Sequence, residues 1–141
     1  MVIYQLDSMN IEEALEVSKV FLLRDTTVEQ VRKFLFNENN YLLVCKHEKR
    51  IVGFAYGYEL QRFDGRKNMM YMHQIEVLSD VRQIGIGTQL MERFIDICKQ
   101  NDCEKLFLIT NKSNAPAITL YKTAGGKYHY DDDIVYSFRL N

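Results

Sequence analysis

Gly85 and Gly87 stand between a run that reads as a strand, Met69–Leu78, and a run that reads as a helix reaching about Gln100. A strand joined to a helix through glycines constrains the fold more than any other feature of this chain. The first turn of a helix leaves N–H groups without partners, and the helix dipole favours an anion there. Residues without a Cβ let a diphosphate approach the backbone closely. Arg82 adds positive charge at the same joint. The stretch Arg82-Gln83-Ile84-Gly85-Ile86-Gly87 therefore reads as a phosphate cradle or as a tight strand-to-helix turn. A dinucleotide fingerprint would need a third glycine where Leu90 stands, and no Gly-Lys-Ser/Thr of a Walker loop is present. The partner motifs of a protein kinase are missing as well.

The rest of the chain arranges itself around that joint. Val2–Leu6 is a short strand. Asn10 with Glu13, and Thr27 with Gln30, have the spacing of capping boxes ahead of two consecutive amphipathic helices. Tyr41–Lys46 and Ile51–Leu60 read as an antiparallel hairpin turned by His47–Arg50. After the glycine loop, the helix presents Leu90, Met91, Phe94, Ile95, Ile97 and Cys98 to a core. Lys105–Thr110 is a further strand. Ser113 or Asn114 caps a last helix, Ala115–Thr123, which stops at Gly125-Gly126. Lys127–Tyr130 and Ile134–Leu140, on either side of Asp131-Asp132-Asp133, read as a closing hairpin. The order is β-α-α-β-β-β-α-β-α-β-β, an α/β (α+β) chain with a mixed, mostly antiparallel sheet flanked by helices.

Composition narrows the function classes. The chain has 141 residues, one proline and no Ser/Gly-rich linker, which suits a single domain spanning 1–141. A formal net charge of -1 and scattered basic residues give no footprint for nucleic acid. No apolar run is long enough to span a membrane, and no signal-peptide layout opens the chain, so a cytoplasmic location is expected. Cys45, Cys98 and Cys103 lack metal-ligand spacing. Cys45 and Cys98 read as core thiols, Cys103 as a partly exposed one, and no metal is expected.

Two stretches together resemble the GNAT superfamily of N-acetyltransferases. Arg82-Gln83-Ile84-Gly85-Ile86-Gly87 fits the family's Gln/Arg-x-x-Gly-x-Gly/Ala signature after a strand. The stretch from Asn114 to Gly126 is similar to the family's Asn-x-x-Ala-x-x-Leu-Tyr…Gly segment. The element order is similar too, so the resemblance covers nearly the whole chain. It implies acetyl-CoA as co-substrate. The pyrophosphate would then sit on N–H groups from Gln83 through Thr88, a span that includes Gly85, Ile86 and Gly87. The pantetheine arm would run beside the strand of Ile75 and Val77, between two splayed strands, with Asn114 and Ala117 near it. The family's usual oxyanion donor is a backbone N–H near Ile75.

The resemblance also assigns Tyr121 to the leaving thiolate. A phenol of pKa about 10 facing a thiol of about 8.5 makes full proton transfer uphill by roughly 2 kcal/mol. Tyr121 is thus read first as a hydrogen-bond donor and second as a proton donor. Strict alternation puts Tyr71, His73, Ile75 and Val77 on one face of their strand and Met72, Gln74 and Glu76 on the other. In the family the base often lies on the face of Ile75 and Val77, a few residues earlier, so the resemblance points to His73 as the general base, an imidazole that titrates near neutrality when unperturbed, with Glu76 as the fallback.

Within the superfamily the texture is nearest to the gentamicin-type aminoglycoside N-acetyltransferases. The chain departs from that subfamily where Gln74 replaces an aspartate and Asn114-Ala115 replace acids. The residues left to hold a cationic acceptor, a polyamine, an aminoglycoside or a lysine side chain, are Gln74 and the acids Glu59, Asp64, Asp131, Asp132 and Asp133. The other readings carried forward are a protein or peptide N-acetyltransferase and a non-catalytic acyl-CoA sensor. Family members are often dimers, so the resemblance allows a homodimer.

Overall fold

The computed structural model describes residues 1–82, 84–128 and 131–141. Five strands form one sheet: β1 (Val2–Gln5), β2 (Asn40–His47), β3 (Arg50–Leu60), β4 (Met69–Val77) and β5 (Lys105–Phe107), in spatial order β1-β2-β3-β4-β5. The first four pair antiparallel in sequence order, and β5 runs parallel to β4. The helices are α1 (Ile11–Val17), α2 (Val28–Phe36), α3 (Ile86–Gln100) and α4 (Ala115–Thr123). The fold is the expected mixed α/β arrangement, with the element order as read through α4.

Each face of the sheet carries its own apolar layer. α1 and α2 cover the side formed by Leu42, Val44, Ile51 and Phe54. α3 covers the other side, where Leu43, Cys45, Ala55, Met70 and Met72 meet Ile86, Leu90 and Phe94. Alternate residues of β2 serve alternate layers, as the pleat requires. Burial at Leu43, Val44, Phe54 and Phe94 is complete. At roughly 25 cal/mol per Å² of apolar surface, these two layers supply the main drive for folding.

Thr27 forms the expected capping box: its hydroxyl accepts from Gln30 N–H at 3.1 Å, and its own N–H donates to Gln30 Oε1 at 2.9 Å. Asn10 does not cap α1 by side chain. Its Oδ1 accepts from Asp7 N–H and its Nδ2 donates to Glu13 Oε2, so the side chain is spent on the preceding turn. α1 runs on into one π-helical turn, Ser18–Leu22, closed by Leu23 in the left-handed region. The buried Ser18 hydroxyl bonds Thr26 there.

The closing hairpin is a correction. The strand expected at 127–130 falls partly on His129 and Tyr130, outside the described residues. Ile134–Leu140 pairs with no strand among the described residues, and its side chains are exposed. Its alternating apolar pattern is a genuine strand pattern, but strand propensity acts only through a partner edge. β5, at three residues, is also shorter than the expected Lys105–Thr110.

One irregularity between β3 and β4 has large effects. Tyr56 is opposite Gln74 while Gly57 is opposite Met72, so His73 is an extra residue in β4. Here the strands come unusually close. A Cβ on Gly57 would lie 2.2 Å from the Tyr71 carbonyl oxygen and 2.9 Å from Met72 Cα. Both obstacles are backbone, so no side-chain movement relieves them. Gly57→Ala is expected to destabilise the protein by roughly 2 kcal/mol, the scale of an overpacked interior. Urea denaturation should show a lower midpoint with an unchanged slope.

Candidate functional site

β4 is paired on both sides only over its first residues. β5 pairs Met69, Met70 and Tyr71 with Lys105, Leu106 and Phe107, and then ends. From Met72 to Val77 the β5 side of β4 has no strand partner among the described residues. An open strand edge offers N–H and C=O groups to an extended ligand. This parting of the two strands is what the resemblance implied.

The open edge leads directly to the start of α3. A short 3₁₀ turn, Ser79–Val81, follows β4 and is pinned by the ion pair of Asp80 with Arg50 at 2.7 Å. Gly85, the N-cap of α3, has φ +87°, in the left-handed region where a side chain would be strained. Among the described residues no side chain caps α3. Its first N–H groups, among them those of Ile86, Gly87 and Thr88, are thus available to an anion. Arg82 turns back and donates Nε–H to the Val77 carbonyl at 3.1 Å, placing a guanidinium at the junction of the strand edge and the helix start. Gln83 lies outside the described residues. Ile86 has its side chain in the α3 core, so only its backbone can serve a ligand. A strand-like ligand with a diphosphate at one end fits these residues.

α4 packs against the same corner. The Asn114 Oδ1 accepts from Ala117 N–H at 3.3 Å, so Asn114 rather than Ser113 is the cap. The helix ends with Gly125 N–H on the Lys122 carbonyl and Gly126 N–H on the Tyr121 carbonyl, the paired bonds of a Schellman motif. Leu120 lies near Gly87, and Tyr121 packs on the α3-side core. Burial raises the Tyr121 phenol above its ordinary pKa.

The extra residue in β4 overturns the expected face assignment. Ile75 and Val77 pack on the α3-side core together with Met70 and Met72. Gln74 and Glu76 are opposite Tyr56 and Phe54, on the α1–α2 side. His73 is on that side too, with its ring centroid 5.1 Å from Tyr56, 5.9 Å from Tyr58 and 5.6 Å from Tyr71. His73 and Glu76 therefore share a face, and Ile75 and Val77 do not share it with them. Strict alternation fails because a bulge shifts side-chain parity by one. Gln74 Nε2 donates to Glu76 Oε2 at 2.8 Å. The contact of Tyr58 Oη with His73 Nδ1, at 3.5 Å, is at the outer limit of a hydrogen bond.

The acids named as acceptor ligands are dispersed. Glu59 accepts from Tyr41 Oη at 2.8 Å and from Asn68 Nδ2 at 2.7 Å. Tyr41 belongs to the α3-side core, so Glu59 points away from His73. Asp64 is held below the usual carboxylate range by the N–H and side chain of Arg66, in the exposed β3–β4 loop. Asp131 and Asp132, with Asp133, are exposed beyond α4. What sequence reading missed is the aromatic wall of Phe34, Tyr56, Tyr58, Tyr71 and Phe107. The run Tyr56-Gly57-Tyr58 was its one legible signal.

Cys45 and Cys98 are buried and Cys103 is half-buried, as expected. Burial pushes the Cys98 thiol up to about 12 and raises Cys45 and Cys103 as well. None of them is a thiolate nucleophile at neutral pH.

The acetyltransferase (GNAT) family model matches residues 8–125. Probable N-acetyltransferase camello of Xenopus laevis is 25% identical over 104 residues, 74% of this chain and 46% of that protein. The chain thus spans about half the length of that curated relative. Among solved structures, an aminoglycoside acetyltransferase from an uncultured soil metagenomic sample, in complex with sisomicin, superposes with TM-score 0.83 at 19% identity, over 98% of this chain and 96% of that one. An aminoglycoside N-acetyltransferase in complex with CoA gives TM-score 0.75 at 18% identity, over 98% and 99%. The ribosomal-protein-alanine N-acetyltransferase of Brucella melitensis biovar Abortus 2308 gives 0.75 at 20%, over 99% and 100%. At these identities the likeness is one of fold.

Asn114→Ala removes the α4 cap and is expected to cost about 1 kcal/mol. Asn114→Asp keeps a capping oxygen and should unfold in urea close to the unmodified chain. A matching loss in both variants would show that the cap does not hold α4.

Proposed function

This chain belongs to the acetyltransferase (GNAT) family, and on that footing we propose that it is an acetyl-CoA-dependent N-acetyltransferase acting on a primary amine of a small acceptor. The observation that carries the reading is the β4 edge, open beyond Tyr71 and continuous with the uncapped start of α3. In this reading the α3 N–H groups and Arg82 hold the diphosphate, and the edge from Met72 to Val77 holds the pantetheine arm as an added strand. Asn114 and Ala117, on the first turn of α4, flank the arm. The domain reading over 1–141 and the cytoplasmic location belong to the same proposal. No helix among the described residues is long and apolar enough to cross a membrane.

Transfer is direct. The acceptor ammonium loses a proton to a base, and its nitrogen forms a bond to the thioester carbonyl carbon. The Ile75 N–H steadies the resulting oxyanion. Collapse breaks the C–S bond, the nitrogen gives up its second proton to leave a neutral amide, and the sulfur leaves as thiolate and takes up that one proton in net balance. The raised cysteines support the absence of an acyl-cysteine intermediate. The raised Tyr121 phenol holds its proton more tightly than an ordinary tyrosine. That widens the gap to the thiol and supports Tyr121 as a hydrogen-bond donor to the leaving sulfur. Two groups on the acceptor face can take the ammonium proton: His73, and Glu76 through a water.

Isothermal titration with acetyl-CoA and a thiol-release assay over a panel of amines test the reading. Binding without thiol release for any amine would favour a sensor; neither binding nor release would overturn the reading. Tyr121→Phe is expected to lower kcat at least roughly tenfold, with acetyl-CoA affinity unchanged. Because burial raises its pKa, any fall in kcat from Tyr121 ionisation should set in at a higher pH than for an ordinary tyrosine. For the base, the ascending limb of the pH–rate profile should vanish in either His73→Ala or Glu76→Gln. Retention of the limb in both variants excludes both residues.

A further inference from the structure

Between α1–α2 and the sheet lies a cleft of about 280 Å³. Its floor is Phe54, Tyr56 and Tyr58, and its helical wall includes Val17, Val31 and Phe34. Among the described residues none of the lining side chains carries a formal charge. The polar ones beside the tyrosines are Ser18, Thr26 and Gln30, and Ser18 and Thr26 are bonded to each other. Burial raises the pKa of the Tyr56 and Tyr58 phenols, so both are neutral near pH 7.

The cleft connects to the proposed acetylation site through rings. Tyr56 and Tyr58 line it and also pack on His73 at centroid distances of 5.1 and 5.9 Å. Tyr58 stacks on Tyr71 at 6.4 Å, and Tyr71 on Phe107 at 5.1 Å, where β4 and β5 part. An acceptor reaching the open edge of β4 from this side passes over aromatic faces. Such faces attract one ammonium and the planar or aliphatic body behind it.

A polycation has different needs. Each further ammonium taken from water requires a carboxylate or several acceptors. Glu59 faces the other core and Asp64 is occupied by Arg66; Glu76 shares the acceptor face, but it already accepts from Gln74 and does not line the cleft. The cleft volume, about 280 Å³, is also slightly below the usual range of small-molecule sites, about 300–1,000 Å³.

We propose that the acceptor is a monoamine carried on an aromatic or compact apolar body, an arylalkylamine, with that body lodged against Tyr56, Tyr58 and Phe34. The proposal rests on the transferase reading above and names the substrate class of that site. The amine nitrogen stays at the β4 edge beside His73, and the ring lies in the cleft.

The test is thiol release from acetyl-CoA by the full chain with 2-phenylethylamine and tryptamine, set against spermidine, kanamycin and a lysine peptide. The better arylalkylamine is expected to exceed each of the other three at least tenfold in kcat/KM. Any smaller ratio, or a reversed one, overturns this proposal and leaves the transferase reading standing. Acetyl-CoA binding without release from any amine overturns both. Tyr58→Ala should raise KM for the preferred arylalkylamine at least tenfold, with kcat within threefold and acetyl-CoA affinity unchanged. Tyr58→Leu, which keeps apolar bulk without a ring, makes the same comparison if the alanine variant does not fold. An unmoved KM in the folded variant overturns the proposal.

Discussion

The missing side chain at Gly57 sets the geometry on which the candidate site depends. β3 and β4 approach so closely there that a Cβ would overlap the Tyr71 carbonyl. Just beyond, β4 holds one residue more than β3, at His73. A bulge costs little by itself, but it shifts side-chain parity for everything that follows. Ile75 and Val77 are thereby returned to the α3 core, while Gln74 and Glu76 turn to the opposite face beside His73. One strand can then anchor the core with its later apolar residues and present His73 and Glu76 on the opposite face.

A second constraint acts on the same strand. β5 leaves β4 after three pairs, so among the described residues the hydrogen-bonding edge of β4 has no strand partner from Met72 to its end at Val77, ahead of the 3₁₀ turn that leads towards α3. Backbone groups dominate this part of the site. The strand edge, the N–H groups of α3 and the carbonyl that Arg82 meets are all main chain, which accounts for how little the side chains of Ile86 or Val77 need to be polar. α4 closes the corner with its own cap at Asn114 and its own stop at Gly126, and it brings Tyr121 into partly buried surroundings.

The α1–α2 cleft and the α3 side of the sheet hold their polar groups differently. On the α3 side, Glu59 is absorbed into a bonded group with Tyr41 and Asn68. On the α1–α2 side the cleft is lined by rings and aliphatic groups, with neutral phenols in place of carboxylates. In a region of low polarity, ring faces provide weak, shape-dependent attraction where acids would provide strong, long-range attraction. That difference bears on which amines such a cleft can admit.

The chain alone determined a good deal. The strand character of β2, β3 and β4, the amphipathic period of α3, the Thr27 capping box and the Gly85 turn are local preferences written in adjacent residues, and each formed as read. The Arg82–Gly87 stretch and the Asn114–Gly126 stretch likewise carried the family, because their geometry is made mostly by their own backbone. What only the tertiary structure decided depends on partners far away in sequence. The face on which Glu76 lies is set by a strand pairing with Phe54; whether Ile134–Leu140 forms a strand depends on a partner edge, and it pairs with none among the described residues; the orientation of Glu59 is set by Tyr41. Parity, pairing and side-chain bonding are properties of two segments together, and a single segment cannot encode them.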